Sequence, residues 1–209
     1  MRLRFTLLAD GTSDRLLLFP IRWALRRMNV AIEQEHWADL SLAHPKPRTL
    51  AERAIQAVDL YPAQLLFVHR DAEGLGRDER IREVSGAVAS PHVPVVPVRM
   101  TEAWLLHDEP AIRRASGNPS GKIVLDLPAP SCVEALPDPK TVLRDALVAA
   151  SELSGRRRAS KVREFAVMRA RVAELIDDFE PLRVAPAFAC FLEALERALV
   201  DLGRPTRVS

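Results

Sequence analysis

Residues 2–17, RLRFTLLADGTSDRLL, decide what kind of chain this is. Leu3, Phe5, Leu7 and Leu8 predict a buried strand over residues 2–9, and the polar turn Asp10-Gly11-Thr12-Ser13 ends it. A helix is expected immediately afterwards. Thr12 or Ser13 can cap it, Asp14 lies in its first turn where the helix dipole favours a carboxylate, and Leu16, Leu17, Phe19, Ile21, Trp23, Ala24 and Leu25 give it a broad apolar face. Pro20 is expected to kink that helix. A buried strand that runs through an acid-bearing turn into a helix is how a parallel α/β unit begins.

The same pattern returns twice. Residues 63–68 (AQLLFV) form a second apolar strand that ends at His69-Arg70-Asp71-Ala72-Glu73-Gly74. Residues 93–98 form a third, and Pro94 and Pro97 predict an edge or bulged position for it. A polar strand is expected over residues 31–40. Helices are expected over residues 49–60, with Thr49 and Glu52 at capping-box spacing, and over 77–89, with Ile81, Val84 and Val88 inward. Strands separated by helices predict parallel pairing and right-handed crossovers. After Asp108 the pattern changes. Pro119, Pro128, Pro130, Pro137 and Pro139 break up residues 115–139, and three helices are expected over 139–151, 160–179 and 187–202. The reading is an α/β core over residues 1–108 and a mostly helical extension over 109–209, packed on it as one compact unit.

Composition narrows the function classes. The chain has 209 residues, 48% hydrophobic and 28% charged, with only 8 Gly, so it can bury a core and is not a disordered segment. A net charge of +2 announces no nucleic-acid binder by itself. The basic residues are 26 Arg and 4 Lys along the whole chain, a bias better explained by a GC-rich genome than by phosphate recognition. Cys132 and Cys190 are too few and too far apart for a disulfide framework or a thiolate metal site, which points to a reducing cytoplasm. No apolar run is long enough for a signal peptide or a membrane span. There is no P-loop, because Gly117 to Lys122 is one residue short and Ile123 follows it. The single tyrosine, Tyr61, precedes the second apolar strand, at the edge of the sheet opposite the acids, which argues against covalent tyrosyl chemistry.

In a parallel sheet the carboxyl ends of the strands form the functional edge. Each such end here carries acid: Asp10 after the first strand, Asp71 and Glu73 after the second, Glu102 after the third, with Asp14 and Asp108 about a turn further on. Carboxylates gathered together repel unless a cation neutralises them, and hard oxygen donors suit Mg²⁺, with Mn²⁺ as a substitute. Taken singly, Asp10, Asp14 and Glu102 could equally be helix caps and dipole partners. Arg156, Arg157 and Arg158, beside Lys161 and Arg163, form a basic run that could grip a nucleic-acid backbone or could be a solvated, flexible loop. Trp23, Trp37 and Trp104 read as packing residues, and His69 as a structural histidine with a lesser case for touching metal or substrate.

LLADGTSDRLLL resembles the first Toprim motif and LLFVHRDAEG its acidic DxD motif, with Glu73 in the second place. VPVRMTEAWLLHD, then DPK at 138–140, Lys161 and APAFACFLEAL, resemble the small Toprim-like DUF4276 family, related to the nuclease half of the OLD (overcoming lysogenization defect) proteins. The likeness covers most of the chain, and its most specific piece is Glu102-Ala103-Trp104-Leu105-Leu106 with Asp108. It implies a Toprim-like (Rossmann-like) α/β sheet, mainly parallel and flanked by helices, with a helical C-terminal extension. It further implies a Mg²⁺-dependent nuclease of bacterial anti-phage defence, acting on DNA or RNA in the cytoplasm beside an AAA/ABC-type ATPase encoded nearby, with homodimerisation left open. Asp10, Asp71, Glu73, Glu102, Lys140 and Lys161 would be catalytic. Asp10, Asp14, Asp71, Glu73, Glu102 and Asp108 would be metal ligands, and Arg156–Arg158 would hold substrate. Trp104 is expected in the core with Glu102 turned toward the acids. Asp10 stands where the family usually has Glu. Two alternatives of other classes follow: a catalytically weak module that binds its ATPase partner, and a small-molecule phosphohydrolase.

Overall fold

The computed structural model describes residues 2–41, 43–72, 76–98 and 100–203. The chain divides into two compact units, Met1–Val98 with Ala189–Ser209, and Arg99–Phe188. The units thus divide after Val98 and again after Phe188, whereas the sequence reading placed one boundary after Asp108.

The first unit is built on a four-stranded, all-parallel sheet in the order β2-β1-β3-β4. β1 (Arg2–Leu8) leads through a 3₁₀ turn (Thr12–Leu17) into α1 (Leu18–Arg27), and β2 (Ala31–Trp37) into α2 (Leu50–Leu60). β3 (Leu65–His69) then leads into α3 (Arg77–Ala87) and β4 (His92–Val95). All five residues of β3 are buried, as expected for a strand covered on both faces. β2 and β4 are the edges, so Pro94 leaves no interior ladder bond unmade. On one face Leu8, Leu66 and Val68 pack against Ala54 and Ala57 of α2 and Val84 of α3. On the other, Phe5 meets Phe67 edge-on at 5.2 Å, and Phe67 lies 6.4 Å from Phe191.

Two details of the α1 region differ from expectation. Gly11, not Thr12 or Ser13, is the N-cap, and the Asp14 carboxylate reaches back to accept from the Gly11 amide at 2.9 Å. Pro20 is the third residue of the α-helix. The 3₁₀ turn delays the α-helix to Leu18, so Pro20 falls in its first turn, where no amide needs a partner. The Thr49 and Glu52 capping box forms as predicted.

The second unit is helical. A 3₁₀ turn (Thr101–Leu105) is followed by α4 (Glu109–Ser116), a 3₁₀ turn (Pro130–Ala135), α5 (Pro139–Ala150), α6 (Gly155–Arg163), α7 (Phe165–Leu175) and a 3₁₀ turn (Glu180–Val184). α8 (Pro186–Asp201) begins here and continues in the first unit. The single helix expected over 160–179 is two helices, with Glu164 between the end of α6 at Arg163 and the start of α7 at Phe165. Arg156–Arg158 lie in α6, not in a loop. Trp104 is 1% exposed and meets Phe188 edge-on at 5.0 Å. Among the described residues no helix is long and apolar enough to cross a membrane.

Candidate functional site

The strand order reverses direction at β1: the chain goes from β1 to β2 on one side, then crosses to β3 and β4 on the other. In open parallel sheets the crevice at such a switch point, outside the carboxyl ends, is where ligands bind. Here it lies over β1 and β3, the strands followed by Asp10 and Asp71.

Register and the two-residue period of a strand sort the side chains at this edge into two groups. Leu8 pairs with Val68, and Asp10 and Arg70, two residues beyond each, meet as an ion pair. Leu8 and Val68 belong to the face covered by α2 and α3, and Asp10 and Arg70 follow that parity. The Asp10 carboxylate accepts from Arg53 of α2 at 2.6 Å and from Arg70 at 3.0 and 3.1 Å. Arg70 also reaches Glu83 of α3 at 3.3 Å, and Glu83 binds Arg80 at 2.6 Å. Arg80 in turn donates to the Asp71 carbonyl at 3.0 Å. Partial burial pushes the Asp10 pKa up, but the bonds from Arg53 and the charges of Arg70 and Arg53 outweigh it and hold the carboxyl below its ordinary value.

The other group stands on the opposite parity. His69 follows Phe67 onto the face of the aromatic core, and its side chain is wholly buried. Because His69 pairs with Val95, its Nδ1 lies 3.0 Å from the Val95 carbonyl oxygen, which can only accept, so Nδ1 carries a proton. Nε2 is buried and has no hydrogen-bond partner among the described residues. It faces Asp71 Oδ1 at 3.5 Å and Asp14 Oδ2 at 3.8 Å. Asp14 also accepts from the Ser13 hydroxyl at 3.3 Å.

The predicted acids are therefore not one cluster. Asp10 is neutralised by two guanidinium groups and does not call for a cation. Asp14 and Asp71 flank a buried ring nitrogen of His69. Among the described residues no three His, Cys, Asp or Glu side chains stand close enough together to hold a metal ion. Glu73 lies outside the described residues. A cleft of about 340 Å³, lined in part by Asp10, Thr12, Trp37, Lys46 and Arg53, opens beside the first group.

The remaining predicted residues belong to the second unit. Glu102 is 5% exposed, and its carboxylate pairs with Arg169. Thr101–Leu105 is a 3₁₀ turn in which Glu102 and Trp104 are both buried. Asp108 caps α4, its Oδ1 accepting from the Ala111 amide at 2.8 Å, so its helix-cap reading is realised. Lys140 is exposed on α5, Lys161 binds Glu164 at 3.1 Å, and Arg156–Arg158 are exposed on α6. Sequence reasoning missed Arg53 and Arg70, because a chain with 26 Arg gives no reason to single out two. It also missed Glu134, which is buried and accepts from the Ala187 and Phe188 amides and the Trp104 indole. No family model, no curated protein and no solved structure matches the chain, so the likeness to the DUF4276 family rests on the quoted motifs alone.

Proposed function

We propose that the chain is a divalent-metal-dependent phosphodiester hydrolase, a nuclease, whose site lies at the carboxyl ends of β1 and β3. The observation that carries this reading is the buried His69 Nε2 between Asp14 and Asp71 at the sheet's switch point. Asp14, His69 and Asp71 would hold the cation, Mg²⁺ or Mn²⁺. Such an ion, when bound, polarises a phosphodiester oxygen and acidifies a water. The Val95 carbonyl fixes the His69 ring, and the Gly11 amide fixes Asp14. Arg53 and Arg70 present planar guanidinium groups, the geometry that suits a phosphate, while Asp10 orients them. Bacterial anti-phage defence, a DNA or RNA substrate and an ATPase partner follow from the motif likeness.

The occupied carboxylate of Asp10 favours a second reading, a catalytically weak module that binds its partner without cleaving. Cleavage of DNA and RNA in Mn²⁺ by wild type, Asp10→Glu, Asp10→Ala and Asp71→Ala separates the two. The nuclease reading expects activity in wild type and Asp10→Glu and loss in both Ala variants. Absence of cleavage in every variant, with the neighbouring ATPase present as well, removes it.

A further inference from the structure

We infer that the cleft at the carboxyl ends of β1 and β2 holds a single ribonucleotide unit, its phosphate on Lys46 and Arg53 and its vicinal sugar hydroxyls on Asp39. The inference deepens the nuclease reading by naming a substrate class, and it rests on that reading only for the cleft's purpose. The cleft measures about 340 Å³, and all its lining residues belong to the first unit. That is the small end of the range of about 300–1,000 Å³ over which proteins hold small ligands, so it suits one nucleotide and no folded partner. Its lining is chemically mixed. Lys46 and Arg53 are cations, Thr12 and Ser41 carry hydroxyls, and Asp10 and Asp39 are carboxylates. With Asp10 already paired to Arg53, a bare anion in the cleft would still face Asp39, and a bare cation would face Lys46 and Arg53. A phosphorylated sugar supplies an acceptor-rich anion and hydroxyl donors in one molecule, which matches both halves of the lining.

Each of these side chains has capacity left for a ligand. Lys46 is exposed, and its ammonium forms no ion pair among the described residues. Arg53 donates to Asp10 and to the Ala9 carbonyl, both at 2.6 Å, which fixes the guanidinium plane and leaves its other N–H donors to a phosphate. Asp39 lies just past β2, and its Oδ1 accepts from the Ser41 amide at 2.9 Å. Hydrogen bonds from the Ser41 hydroxyl and amide hold the Asp39 carboxyl below its ordinary pKa, so it stays an ionised acceptor. A carboxylate has roughly four lone-pair sites, and those that remain can receive sugar hydroxyls. Trp37, the last residue of β2, lines the same cleft. Its indole N–H is buried and meets no acceptor among the described residues. Such orphaned donors are rare, and an indole N–H can only donate, so an acceptor-rich ligand completes it and a cation cannot.

The test is isothermal titration calorimetry of the full chain with AMP, dAMP, adenosine and inorganic phosphate. AMP is expected to bind at least about 10-fold more tightly than each of the other three, since each lacks a group that the lining is built to meet. Lys46→Ala should weaken AMP by about 10-fold, and Trp37→Phe by about 5-fold. Asp39→Asn keeps the turn with Ser41 but loses the free acceptor, and it should erase the difference between AMP and dAMP. Lys46 and Asp39 are exposed, so these two variants should keep the wild-type circular dichroism spectrum. Equal affinity for AMP and dAMP, phosphate bound as tightly as AMP, AMP binding undisturbed by Lys46→Ala, or no binding at millimolar AMP overturns the inference. A 5′-phosphorylated oligoribonucleotide that displaces AMP joins the cleft to the nuclease reading. AMP bound by a chain that cleaves neither RNA nor DNA removes that reading and keeps the site, whereas cleavage by a chain that binds no AMP does the reverse.

Discussion

Two buried polar side chains, Glu134 in the second unit and His69 in the first, have opposite surroundings. Glu134 is 9% exposed, and its carboxylate accepts from the Ala187 amide at 2.9 and 3.1 Å, the Phe188 amide at 3.2 Å and the Trp104 indole at 3.4 Å. It neutralises the orphan amides at the start of α8 and holds Trp104 against Phe188. His69 satisfies one nitrogen with Val95 and leaves the other facing two carboxylates beyond hydrogen-bond range. A fully satisfied buried group supports the fold, and a half-satisfied one at a strand end is a place for a ligand. The motif residue Trp104 thus packs in the core, and His69, which reads as an ordinary core histidine, stands at the strand end between Asp14 and Asp71.

Substitutions should divide along the same line. The largest effects are expected in the second unit. Trp104→Ala should lose about 3–5 kcal/mol of stability in urea unfolding through the cavity it leaves. Glu134→Ala should lose at least about 3 kcal/mol, because two helix-start amides and an indole N–H are left unpaired. Neither should change Mn²⁺ affinity in the folded protein, and a loss of binding in either would blur the distinction. Glu102→Ala should also destabilise, by about 3–5 kcal/mol, since it strands the largely buried Arg169 guanidinium. A variant as stable as wild type would return Glu102 to a purely functional role.

A smaller and opposite pattern is expected in the first unit. Asp71→Asn should change stability by less than about 1 kcal/mol, because its side chain is 34% exposed, while Mn²⁺ binding falls sharply. The smallest effect concerns Asp10. Its folded pKa lies below the ordinary 3.8, so the stabilisation from its arginine partners is complete above 3.8 and disappears as pH falls through the lower folded value. The Tm difference between wild type and Asp10→Asn should therefore stay constant from neutral pH down to about 3.8 and shrink below it. A difference that instead grows on acidification would mean that Arg53 and Arg70 do not govern this carboxyl.

The strands, their parallel pairing and the edge position of the Pro94 strand were legible in the sequence, because hydrophobic runs and prolines report directly on burial and on missing ladder bonds. The Thr49 and Glu52 cap was legible for a similar reason: its donors and acceptors lie within four residues of each other. The break at Glu164 was not, since helix-forming residues continue on both sides of it. Nor was the delay of α1, in which a short 3₁₀ turn moves Pro20 into a tolerated position.

That Asp10, Asp14 and Asp71 would come to the carboxyl edge of a parallel sheet was determined by the sequence alone, because each follows a strand whose direction the helical crossovers dictate. Which of them belong together was decided only by the tertiary structure. Strand register sets His69 against Val95, while Asp10, just past β1, meets Arg70, just past β3, through an ion pair. Arg53 and Glu83 then arrive from helices 43 and 73 residues beyond Asp10. Charge pairing across such separations depends on packing geometry, which no local pattern of residues encodes.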